Sequence, residues 1–342
     1  MEMNMSKWPA KGRSSLPLLF LFVCFAASLV LLGCLSVSFR VDGMTWRNWL
    51  PGAGAEGITS AYYTVWHVRA PRAGLSVLLG SALAVAGCLL QAVTRNPLAD
   101  TEIMGINQGA SCFAVLAIMM FGGTDSSSVI WVAALCGAGV CGLMVHGLAR
   151  HNRGGPQLVL AGVAISAFAG SLTTGTILLY ETQLTEIMYW MAGKLSGATW
   201  SDDQLILFLD GPAIIVSLLL SRSLNVLVQG DEVAASLGIH VTRIRSLLGF
   251  LVIVLAGSAV AVAGPIGFIG LIVPHMARRL GGTNHFIVLP LAALLGANLL
   301  TAADFAAQWI TYPAEIPVGI VTAFLGVPFF LYLLRRKGGM RS

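Results

Sequence analysis

Ten separate apolar runs constrain this chain more than any other feature. They lie near 16–38, 74–93, 103–122, 129–149, 157–180, 204–221, 247–263, 268–280, 286–307 and 317–334. Most are long enough, at 1.5 Å per helical residue, to cross a hydrocarbon layer roughly 30 Å thick. Composition points the same way: 56% of the 342 residues are hydrophobic, 10% are charged, and mean hydropathy is +0.82. Soluble domains carry about 25% charged residues. So few charges also exclude a hydrated disordered chain or a surface that tracks phosphates. The 39 glycines suit helices whose backbones approach closely in lipid. An all-α polytopic membrane protein with ten transmembrane helices is expected.

The placement of Lys and Arg sets the expected orientation. With the N-terminus inside, only Arg40, Arg47, Arg69, Arg72 and Lys194 of the 20 basic residues fall outside. This bias predicts both termini on the cytoplasmic face. Leu31-Leu32-Gly33-Cys34 imitates a lipoprotein cleavage box. The apolar run nevertheless continues to about Phe39, too long for a signal h-region, so a first span is expected in place of a cleaved lipoprotein leader. The six cysteines sit in apolar runs without C-x-x-C spacing and read as buried apolar residues.

Three non-spanning regions are long enough to act. Residues 39–69 form an outer loop with Trp46, Trp49 and Trp66 as interfacial anchors. Residues 181–203 form a second outer segment, which includes Glu181. The inner loop 222–246 contains Asp231 and Glu232, then helix formers that stop at Gly238. Acids at the start and glycine at the end predict a short cytoplasmic helix. No phosphate-binding loop, H-E-x-x-H or G-x-S-x-G occurs. Asp210 and Asp304 are the acids within spans; an ion-coupled carrier would need one of them. Asp304 is expected as a helix-end acid near the outer interface. His146, His151, His240, His275 and His285 are expected near the inner face in solvated or capping roles.

Several segments together resemble one family. Arg69-Ala70-Pro71-Arg72, GCLLQAVTRNPLAD (87–100), GINQGAS (105–111), GPIGFIGLIVPHMARRLGG (264–282) and EIPVGIVTAFLGVPFFLYLLRR (315–336) look like the FecCD-type permeases. These are membrane subunits of binding-protein-dependent ABC importers for ferric siderophores, haem and cobalamin. The resemblance implies a ten-span permease domain over 16–337, flanked by cytoplasmic tails 1–15 and 338–342. It implies a non-enzymatic transport subunit of the bacterial cell membrane that binds no cofactor or metal. ATP is used by a separate subunit. The implied partners are ABC ATPase subunits, an extracytoplasmic substrate-binding protein, a second permease, identical or paralogous, and a ferric chelate, with no nucleic acid.

The resemblance also assigns roles. Arg69 and Arg72, on a segment stiffened by Pro71, are expected to dock the binding protein through its carboxylates. Where some relatives carry another outer arginine, this chain has Gln308. Asp231, Glu232, Ala234, Ala235, Ser236, Leu237 and Gly238 resemble a coupling helix, which fits a cleft on the ATPase. Gly264, Pro265 and Gly267 are expected to form a broken-helix bend that lines the path or borders its gate. Arg95-Asn96-Pro97 is expected to turn the chain at the inner face. The family more usually has Pro-Gly after NPLAD; this chain has Thr101-Glu102. Residues 187–200, IMYWMAGKLSGATW, look more like the iron–chelate branch than the cobalamin branch, which leaves haem or cobalamin as the alternative cargo.

Overall fold

The structure is a computed structural model describing residues 18–41, 43, 45, 49, 60–102, 104–121, 127–149, 155–179, 184–312 and 314–338. Both tails, Trp46, Arg47, Arg150, His151, Arg153 and Glu181, and the side chain of His146, lie outside what is described. The described chain is helical throughout: α1 (Leu18–Ser38), α2 (Ser60–Tyr63), a π-helical turn (Thr64–Arg69), α3 (Ala70–Thr94), α4 (Ile106–Phe121), α5 (Ser127–Ala149), α6 (Gly155–Leu179) and α7 (Leu184–Met191). There follow α8 (Trp200–Leu219), α9 (Ser221–Leu227), α10 (Asp231–Ser236), α11 (Val241–Ala263), α12 (Ile269–Gly281), α13 (His285–Ile310) and α14 (Val318–Gly338). Each apolar run of the sequence falls on one of these helices.

Six of them are long and apolar enough to cross a membrane, counting Ser60–Thr94 as one, and α8 with α9 makes a seventh bent by 58°. The runs of α4, α12 and α14 are shorter. The expected second span thus begins earlier than hydropathy suggests, at Ser60. Pro71 explains the π-helical turn just before it. A proline inside a helix clashes with the carbonyl four residues back; widening the turn, with the Ala70 N–H donated to the Val65 carbonyl, makes room.

The centre of the bundle is α3, whose small residues bury it on nearly every side. It packs most extensively against α13, and the two run antiparallel, with rungs along their length. Arg72 meets Asp304, Ser76 meets Thr301 at 2.9 Å, and Ser81 donates to the Ala293 carbonyl at 3.1 Å. Between them Gly80 and Gly296 face each other so closely that a Cβ on either would strike the other's carbonyl. Glycine is required here by backbone approach, with no demand on φ. The least buried of the long apolar helices are α1 and α6, whose apolar windows are only 6% and 17% buried.

Candidate functional site

At the N-terminal end of α3, five polar side chains form one cluster. The Arg72 guanidinium donates to both Asp304 carboxylate oxygens (3.0, 3.0 and 2.9 Å) and to Glu315 (2.6 Å). Asp304 also accepts from Gln308 (2.7 Å), and Gln308 in turn accepts from Arg69. Arg72 and Asp304 are 5% and 1% exposed, whereas Glu315 is 32% exposed. Arg69 and Arg72 therefore stand together as expected, but differ in kind. Arg69 is half-buried near the rim; Arg72 is turned inward and committed to acceptors of its own chain. Asp304 is correspondingly no interfacial helix-end acid. It is buried, and a buried carboxylate persists when a cation and hydrogen-bond donors satisfy it. Tyr189 of α7 closes the cluster from above by donating to the Glu315 carbonyl.

The broken helix lies between α11 and α12. Gly264 has φ +73°, and a Cβ there would also collide with the Trp190 carbonyl, so both backbone conformation and space demand glycine. Pro265 and Gly267 follow outside any helix, and Phe268 takes φ 69° before α12 begins. The break is stabilised from α3 and the loop after it. Asp100 accepts the backbone N–H groups of Thr101 (2.8 Å) and Phe268, placing a carboxylate at the start of α12. Gln91 donates to the Gly270 carbonyl (3.1 Å) and accepts from Arg278. Sequence reading named the bend and missed these supports; their signal was the polar Gln91 and Asp100 among apolar neighbours.

At the opposite end of the bundle α9 turns sharply from α8, and Gly230 (φ +133°) leads into α10. Asp231 there receives Arg95 and, at 2.9 Å, Arg245, while Arg95 also donates to the Leu227 carbonyl (3.2 Å). The helix ends as expected: Gly238 (φ +79°) and the Ile239 N–H, donated back to the Ala234 carbonyl, close a left-handed cap. Of the expected coupling residues only Ala234 faces inward; Glu232, Ala235, Ser236, Leu237 and Gly238 are exposed, and Asp231 is partly so. Val233 and Leu237 present apolar surface outward. Asn225 of α9 grips the start of α13 by accepting the His285 N–H at 2.8 Å and donating to Asn284 at 2.8 Å. His285 is thus buried, not solvated. Asp210, on α8, accepts from Ser258 at 2.6 Å.

The arrangement joins the Arg72 cluster at one end of the bundle to the exposed α10 at the other through α3 and α13, with a broken helix between. Among the described residues no cluster of His, Cys, Asp and Glu could hold a metal ion. Residues 28–336 match the FecCD transport family. The chain belongs to that family. It is 44% identical to the Fe(3+)-citrate import system permease protein YfmD of Bacillus subtilis (strain 168), over 80% of this chain and 82% of that one. It is 40% identical to the Fe(3+) dicitrate transport system permease protein FecC of Escherichia coli (strain K12), over 94% of this chain and 96% of the other. Among solved structures, an ABC transporter described as metal-chelate type, in an inward-facing conformation, superposes with a TM-score of 0.80 at 29% identity, covering 93% of this chain and 99% of that one. This FecCD chain is a membrane-embedded transport permease.

Proposed function

We propose that this FecCD permease carries a ferric chelate across the cytoplasmic membrane, driven by ATP that a separate ABC ATPase hydrolyses. The exposed α10, anchored at Asp231 by two arginines and flanked by Val233 and Leu237, carries this reading. Small residues on a short, polar, cytoplasmic helix suit close seating in a protein cleft, whereas a helix lying on lipid would be bulky and basic. The kinship with ferric citrate permeases supports iron as the cargo metal.

At the outer face a substrate-binding protein docks through its carboxylates onto Arg69, with Arg72 holding the platform beneath. A second permease completes the path, and the bend at Gly264, Pro265 and Gly267 borders it. Closure of the ATPases moves α10 and switches access between the two sides. ATPase activity of the reconstituted complex, with and without binding protein, tests this. Stimulation in wild type that disappears in Arg69→Glu is the expected result. Stimulation that survives the charge reversal would remove Arg69 from the interface, and absence of any associated ATPase would overturn the importer reading.

A further inference from the structure

Glu102 is the side chain whose position the permease mechanism leaves unused. The chain after α3 does not remain at the inner face. Arg95 ends α3 there, yet the Ser166 hydroxyl of α6 donates to the Glu102 carbonyl at 3.4 Å. Ser166 lies eleven residues into α6, which begins at Gly155, so Glu102 stands about 17 Å along that helix from its inner end. That is mid-membrane depth. Its carboxylate packs behind the broken helix, where a Cβ on Gly267 would come within 3.0 Å of Glu102 Oε1.

In front of the carboxylate is an open cavity of about 400 Å³, lined by Glu102, Gln108, Val163, Ser166, Ala167 and Gly170. Apart from Val163, the α6 wall of this cavity is small or hydroxylated and continues along the helix through Ser171 and Thr174. Bulky Phe168, Leu172 and Leu179 occupy a neighbouring face. A carboxylate and an amide at such depth are costly against lipid and persist on a watered or protein-covered surface. The small face is therefore the path side of α6, and the bulky face is the lipid side.

An ionised carboxylate only accepts hydrogen bonds, and the Gln108 amide both donates and accepts. Among the described residues no basic side chain lines the cavity. Resting on the permease reading, we propose that Glu102, with Gln108, reads the cargo at mid-path, favouring ferric chelates that present hydroxyl, amide or ammonium donors over polyanionic ones. Like-charge repulsion over a few ångströms in a watered path supports discrimination of about tenfold.

The test uses proteoliposomes holding the complete complex, with iron delivered per ATP hydrolysed as the readout, which separates passage from docking. The probes are ferric citrate, a polyanion, and ferrioxamine B, a hydroxamate chelate with an ammonium group. Glu102→Gln, close in shape, is expected to raise delivery of ferric citrate relative to ferrioxamine B about tenfold. Glu102→Asp is expected to keep the wild-type ratio. A ratio unchanged in Glu102→Gln, with iron still delivered per ATP, overturns the cargo-reading role and leaves the importer intact. A wild-type complex that couples ATP hydrolysis to neither chelate overturns both.

Discussion

Replacing Arg72 with Gln removes one partner of a buried ion pair, and its consequence can be worked from the outer cluster. Asp304, 1% exposed, would keep only the Gln308 amide as a donor. Removing one member of a buried pair costs about 3–5 kcal/mol, because the remaining charge has lost both water and partner. Glu315 is a third exposed, so Glu315→Gln costs about 1 kcal/mol or less. At about 2 °C per kcal/mol, the lower end of the range for large chains, Arg72→Gln lowers the apparent melting temperature in detergent by about 6–10 °C and Glu315→Gln by about 2 °C. An apolar exchange of both partners, Arg72→Met with Asp304→Leu, leaves no orphaned charge and recovers most of the loss. Fluorescence-detected thermal unfolding of these proteins, with Arg72→Met and Asp304→Leu as the singles of the double variant, provides the comparison. If Arg72→Gln melts within 2 °C of wild type, or the double variant loses the sum of its singles, the pair does not hold the helices and the reasoning fails. A residue acting only in docking would leave melting unchanged and remove binding-protein stimulation alone.

Other perturbations separate stability from coupling. Asp231→Ala breaks half-exposed ion pairs, so it should change stability by about 1 kcal/mol or less while sharply lowering transport-linked ATPase activity; melting and turnover measured on one preparation check this. Gly296→Val forces a side chain into the Gly80 carbonyl and should cost about 3 kcal/mol or more, read as loss of folded protein on size exclusion. Asn225→Ala withdraws the partner of the His285 N–H and should lower the melting temperature by a few degrees, about 1–2 kcal/mol, without altering binding-protein affinity.

Hydropathy and charge placement read most of the fold, because every apolar run became a helix and the glycine at position 238 ends α10 where expected. What escaped was long-range pairing. Arg72 and Asp304 lie 232 positions apart, and no local pattern joins them. The cost of a buried charge was the available signal: an arginine at one span's outer end and an acid near another's point to each other. The loop after Pro97 was equally hidden. A turn signal marks where a helix stops, yet says nothing of whether the chain then re-enters the layer, as Glu102 does. The π-helical turn before Pro71 likewise arises from a single proline too subtle for hydropathy to register.

The ladder between α3 and α13 makes the two helices a lever with handles at both membrane faces. Arg72 and Asp304 grip one end, while Arg95 and His285 take hold of α9 and α10 at the other. Over the 25 residues of α3, about 37 Å at 1.5 Å per residue, a tilt of about 5° about one end carries the other by about 3 Å. Because Gly80 and Gly296 set backbone against backbone near the middle of the pair, little of that displacement is absorbed there. A displacement imposed at one end of the bundle can in this way be felt at the other without any helix unwinding.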